Sequence, residues 1–89
     1  KNIDSKILLK KTAELVASKG YKIENIDSII CAQEPKMKPY IDEMQRTIAS
    51  ILGIDEEDAS VKATTTEKLG FVGRKEGIAA HAVVLLSKE

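Results

Sequence analysis

The sequence predicts an α+β fold, a mixed sheet with helices packed on one face, in the order α-β-α-β-β. Three observations predict it. Apolar residues recur at helical spacing from Leu8 to Val16 and again from Ile41 to Leu52. Three runs rich in β-branched or small apolar residues read as strands: Ile26 to Ala32, Val61 to Ala63 and Ile78 to Leu86. Gly20, Pro35, Pro39, Gly53 and Gly70 punctuate the boundaries between them.

The first helix is introduced by Asp4 and Ser5, both good N-caps. Leu8, Leu9, Thr12, Ala13, Leu15 and Val16 make its apolar face, and Lys6, Lys10, Lys11 and Glu14 are left largely to water. Lys19 suits the negative end of the helix dipole, and Gly20 stands where a left-handed residue ends a helix. Tyr21 to Asn25 reads as a short connection. In the strand that follows, Ile26, Ser28, Ile30 and Ala32 face one way and Asp27, Ile29 and Cys31 the other, which suits an interior strand. Two prolines in five residues then stop the ladder, and Pro39 fits near the start of a helix. That helix carries Ile41, Met44, Ile48, Ile51 and Leu52 on one stripe, with Asp42, Glu43, Gln45 and Arg46 outward, and Gly53 ends it. Asp55 to Asp58 reads as a solvated acidic loop or one helical turn capped by Asp55; it lacks the ligand spacing of a calcium loop. Thr66 fits the cap of a single turn ended by Gly70, and Phe71 to Gly77 a glycine-rich loop. The last run, apolar on both faces, reads as a central strand.

The chain has 89 residues, enough for one domain (residues 1–89) and not two. A domain of that size buries only roughly 60–65% of its unfolded surface. With three aromatic residues (Tyr21, Tyr40, Phe71) the core is light, and a light core in a short chain calls for a partner surface. Basic and acidic residues balance at 14 each, which argues against a nucleic-acid binder. One cysteine excludes an internal disulfide and fits a reducing compartment. The longest apolar run, Ile78 to Leu86, is too short to span a bilayer as a helix. Lysines lace the first apolar stretch, which is unlike a signal peptide.

Three polar clusters stand at strand ends. Ala32 to Lys38 sets two lysines before a helix N-terminus, a place suited to an anion; the competing reading is a proline-rich turn with solvated lysines. Thr64, Thr65, Thr66 and Glu67 offer three hydroxyls for phosphate oxygens and a hard carboxylate for Mg²⁺; the competing reading is a capped helical turn. Phe71, Arg74, Lys75 and Glu76 form either a loop that meets another subunit or a flexible loop with a weak surface ion pair. No catalytic triad can be assembled. His81 inside an apolar strand suits a buried or interface histidine, and Cys31 a small core residue. No phosphate-loop or dinucleotide fingerprint is present.

Ala-Gln-Glu-Pro-Lys-Met at 32–37, Val-Lys-Ala-Thr-Thr-Thr-Glu-Lys-Leu-Gly-Phe at 61–71 and Gly-Arg-Lys-Glu-Gly-Ile-Ala at 73–79 resemble the 2-C-methyl-D-erythritol 2,4-cyclodiphosphate synthase family, along nearly the whole chain. The resemblance implies an enzyme of the non-mevalonate route to isoprenoids, a homotrimer with active sites between subunits. Such enzymes convert 4-diphosphocytidyl-2-C-methyl-D-erythritol 2-phosphate into the cyclic diphosphate and release CMP. It also implies site residues. Ala32, Gln33, Glu34, Pro35, Lys36, Met37 and Lys38 match the stretch that holds the cytidine end of the substrate. Thr64, Thr65 and Thr66 match threonines along the phosphates, with Thr65 as the transition-state stabiliser, and Glu67 matches the ligand of a bridging Mg²⁺ or Mn²⁺. Phe71 and Arg74 match substrate-binding positions and, with Glu76, residues near the three-fold axis, where an isoprenoid diphosphate can sit in an apolar cavity.

One departure is large. The family holds Zn²⁺ through an N-terminal Asp-x-His motif and a second histidine, an open three-ligand site. The only histidine here, His81, is in the wrong place. The expectation is therefore the C-terminal part of a subunit, cut upstream of the first helix and inactive alone, from a bacterial cytoplasm or a plastid. The alternatives are a nucleotide- or diphosphate-binding module without catalysis, and a trimerisation core. No nucleic-acid or membrane partner is expected.

Overall fold

The computed structural model describes residues 4–32, 36–64 and 78–89. Helix α1 (Ser5–Ser18) leads into strand β1 (Tyr21–Ala32); a 3₁₀ turn (Lys38–Tyr40) precedes helix α2 (Ile41–Leu52). A second 3₁₀ turn (Glu56–Asp58) leads to strand β2 (Ala59–Thr64), and strand β3 (Ile78–Lys88) follows. The three strands form one mixed sheet in the order β2-β1-β3, with β2 parallel and β3 antiparallel to β1. This is the expected α+β architecture.

Local chemistry sets each helix boundary. Asp4 accepts a hydrogen bond from the Lys6 backbone N–H at 2.9 Å, the N-cap expected of it. Gly20 has φ +85° and Gly53 φ +71°, the left-handed conformation in which glycine carries no Cβ penalty. At the end of α2, Ile54 N–H donates to the Ala49 carbonyl at 3.0 Å and Gly53 N–H to that of Ser50 at 3.4 Å. That pair of bonds is a Schellman motif, and it turns Ile54 back onto the core. Pro39 lies in the 3₁₀ turn just before α2, and Asp55 precedes the second turn without a side-chain capping bond.

The core is small and aliphatic. Ile26, Ala49 and Ala59 are buried together, with Ile48, Leu52 and Ile54 packed against them. Ala59 is 0% exposed and Ala49 2%, so α2 approaches β2 closely over two small side chains. Ile26 at their centre contributes about 2 kcal/mol by leaving water. In α1 the half-buried stripe is Leu9, Ala13 and Val16; Leu8, Thr12 and Leu15, expected on the apolar face, are exposed.

Two strand expectations are corrected. Tyr21 to Asn25 is not a connection but the first half of β1, paired with Leu85 to Lys88 of β3. The register shifts between Ile23 and Asn25, so Glu24 is an extra residue in β1. The bulge puts Ile23 and Ile26, opposite Leu86 and Val84, on the same helix-side face despite their odd separation. β3 is not central: among the described residues it is an edge strand and β1 is the middle one. Its apolar residues are largely exposed, Val83 at 74%. The β2 strand extends from the predicted Val61–Ala63 to Ala59–Thr64. The predicted turn at Thr66–Gly70 and loop at Phe71–Gly77 lie outside the described residues.

Candidate functional site

The pairing register brings the ends of β1 and β2 and the start of β3 to one end of the sheet. Cys31 of β1 lies opposite Thr64 of β2, so the two parallel strands finish side by side. Ala32 lies opposite Ile78, so antiparallel β3 begins at that same end. Adjacent strands lie about 4.8 Å apart. The segment leaving Ala32, the one leaving Thr64 and the one arriving at Ile78 therefore start within neighbouring strand positions. In open α/β sheets ligands bind in a crevice outside the carboxyl ends of the strands, and the carboxyl ends of parallel β1 and β2 lie together here.

Ala32 is buried at the end of β1. Lys36 and Lys38 are exposed and Met37 is half-buried. The Met37 carbonyl accepts the Tyr40 N–H at 2.9 Å, which closes the 3₁₀ turn that leads into α2. Tyr40 caps α2 without a side-chain bond, so its first amides are not served by a side-chain cap. Asp42 and Glu43 stand in that first turn and favour the dipole themselves. Thr64 is exposed at the end of β2. Gln33, Glu34, Pro35, Thr65, Thr66, Glu67, Phe71, Arg74 and Glu76 lie outside the described residues.

A trough of about 570 Å³ runs beneath this end of the sheet, between α2 and the helix-side face. Tyr40, Met44 and Ile48 form one wall and Ile30, Val61 and Ala80 the other. Sequence reasoning placed Met44 and Ile48 in the core stripe, and their half-burial marks them as trough wall as well.

Cys31 departs from the expectation of a core residue, and His81 from burial within this chain but not from an interface position. His81 pairs with Ile29 and is exposed, on the face away from the helices. Cys31, half-buried on that same outer face, is not part of the helix-side core. Among the described residues no group of three or more histidine, cysteine, aspartate or glutamate side chains gathers to hold a metal ion. No helix among them is long and apolar enough to cross a membrane.

A model of the YgbB family matches residues 1–87. The chain belongs to the YgbB family. Within it, this YgbB chain is 65% identical over 89 residues to the 2-C-methyl-D-erythritol 2,4-cyclodiphosphate synthase of Bacteroides thetaiotaomicron, covering 100% of this chain and 56% of that protein. It is 55% identical over 83 residues to the synthase of the same name from Thermosynechococcus vestitus, covering 93% of this chain and 52% of that one. The chain thus spans about half the length of the curated relatives it matches, in their C-terminal portion. Among solved structures, the bifunctional IspDF of Campylobacter jejuni superposes with a TM-score of 0.94 at 46% identity, covering 99% of this chain and 24% of that one. A CDP complex of Plasmodium falciparum IspF superposes with a TM-score of 0.89 at 37% identity, covering 97% and 55%.

Proposed function

We propose that this YgbB chain provides the nucleotide and diphosphate side of a 2-C-methyl-D-erythritol 2,4-cyclodiphosphate synthase, a phosphorus–oxygen lyase. The observation that carries the reading is the parallel pairing that ends β1 and β2 together at Cys31 and Thr64. It sends the Ala32–Lys38 segment and the threonine run from one place. A substrate with a cytidine at one end and a diphosphate next to it needs those two segments side by side. The CDP bound by the Plasmodium falciparum relative supports a cytidine nucleotide as ligand.

In the reaction, an oxygen of the 2-phosphate attacks the β-phosphorus of the diphosphate. A new P–O bond forms, the bond from that phosphorus to the bridging oxygen breaks, and the electron pair leaves on CMP. Such a transfer depends on positioning and charge neutralisation and needs no protein nucleophile. Backbone groups between Ala32 and Lys38 hold the cytidine end. Thr64, Thr65 and Thr66 donate hydroxyl hydrogen bonds along the phosphates, with Thr65 aimed at charge that grows on the reacting phosphoryl group. Glu67 supplies a hard oxygen donor that fits Mg²⁺ or Mn²⁺, and such an ion, when bound, neutralises the diphosphate. Zinc does not fit the described residues: His81 and Cys31 lie in diagonal register on the outer sheet face, two donors without a third. The subunit works as a homotrimer with sites between subunits. Phe71, Arg74 and Glu76 lie near its axis, around a cavity able to take an isoprenoid diphosphate.

The test uses the full-length subunit. Thr65→Ala is expected to lower CMP release by roughly a hundredfold or more with little change in CDP affinity. Glu67→Gln is expected to abolish the dependence of activity on added Mg²⁺ or Mn²⁺. Wild-type rates in both variants would remove these residues from the mechanism. Light scattering that finds a monomer would remove the trimer.

A further inference from the structure

We propose that the groove between α1 and α2 is a second anion site, shaped for a phosphate or diphosphate group and adjoining the trough beneath the sheet end, with which it shares Lys6 and Thr47. The groove has a volume of about 500 Å³. Lys6 and Lys10 line it from α1 and Arg46 from α2. Its one carboxylate, Asp4, is already engaged: one oxygen takes the Lys6 backbone N–H at 2.9 Å, the other lies 3.1 Å from the Lys6 ammonium. Lys10 and Arg46 make no ion pair with any described residue.

This arrangement works against the stability of the helices that carry it. Lys6 stands in the first turn of α1, which holds no acidic residue, so its charge opposes the dipole. Lys10 follows one turn later on the same face, where like charges repel. Arg46 then faces both from the other helix. Departures from local preference of this kind concentrate where a chain binds something. The donor set fits a phosphoryl group: a planar guanidinium fork for two oxygens, an ammonium as a point charge, and the Thr47 and Ser50 hydroxyls on the α2 side. The exposed Ile7 and the half-buried Ile51 complete the lining. Lys10, Arg46 and Ser50 line this groove and not the trough beneath the sheet end. From sequence, Lys6, Lys10 and Arg46 read as solvent-facing, because each helix, taken alone, shows only an ordinary charged face.

The test is a titration of the full-length protein with inorganic diphosphate, read by calorimetry and by backbone amide shifts. Shifts at residues 6–10 and 46–51 are expected, and the Lys10→Gln/Arg46→Gln variant is expected to weaken that binding roughly tenfold or more. Both side chains are exposed, so the variant should keep the wild-type fold. The binding should persist in Glu67→Gln, which separates it from the sheet-end site. Inorganic phosphate and glycerol phosphate are titrated beside diphosphate. Tighter binding of the organic ester assigns the groove to a small phosphorylated metabolite, and tighter binding of diphosphate to the free anion. Equal binding by sulfate at the same charge, unchanged binding in the variant, or no shifts at α1 and α2 would overturn the proposal.

Discussion

Asp4 has two partners on one residue, the backbone N–H and the ammonium of Lys6. The backbone hydrogen bond first, and the side-chain bond second, hold its carboxyl below the usual carboxylate range. A lowered folded pKa means that the charged cap stabilises α1 above the unfolded pKa and loses its effect as pH falls through the folded value. Asp4→Asn keeps a capping oxygen and removes the charge. Helicity followed by circular dichroism should differ between wild type and Asp4→Asn at neutral pH and converge as the solution is acidified below the carboxylate range. Ser28 offers a second residue-scale test. Its hydroxyl donates to the Ser60 carbonyl at 2.9 Å, tying β1 to β2 partway to the site. Ser28→Ala should cost about 1 kcal/mol in denaturant unfolding, with the m-value unchanged.

Among the elements, α2 was the most legible. Its stripe from Ile41 to Leu52 and its glycine stop predicted both ends, because amphipathic period and left-handed cap are local properties. Gly53 meets open space where a Cβ would stand, so Gly53→Ala is opposed by conformation alone and should cost about 1 kcal/mol. Ala49→Leu should cost more, about 1–3 kcal/mol, because Ala59 lies directly beneath it. The first half of β1 was not legible. The bulge at Glu24 breaks the alternation, and a strand whose parity changes midway looks like a loop followed by a strand. The edge position of β3 was hidden for a different reason. Apolar residues on both faces indicate burial, and the chain itself buries neither face of β3. The strand-end clusters were visible as residue types, but the convergence of the strand ends they flank depends on strand direction, which no local pattern encodes.

For the molecule as a whole, the described residues include five buried apolar side chains and none that is both large and fully buried. The exposed side chains of Ile29, Ile78, Val83, Leu85 and Leu86 outweigh that core. The 89-residue chain alone should therefore bind the dye ANS and unfold over a broad transition. The full-length protein should bind little dye and unfold cooperatively. A sharp transition without dye binding in the 89-residue chain would show that the small α2–β2 core is sufficient.

The position of β1 between its two partners also constrains the order in which the fold can form. β1 is complete by residue 32, yet one side must await β2 at residues 59–64 and the other β3 at residues 78–88. Loop-closure entropy has to be met before either ladder gives anything back. During synthesis β1 is thus an unpaired template with open edges on both sides while α2 forms alone. The bulge at Glu24 is a feature of the β1–β3 ladder, so it comes into being only when β3 arrives and gives β1 no protection before then.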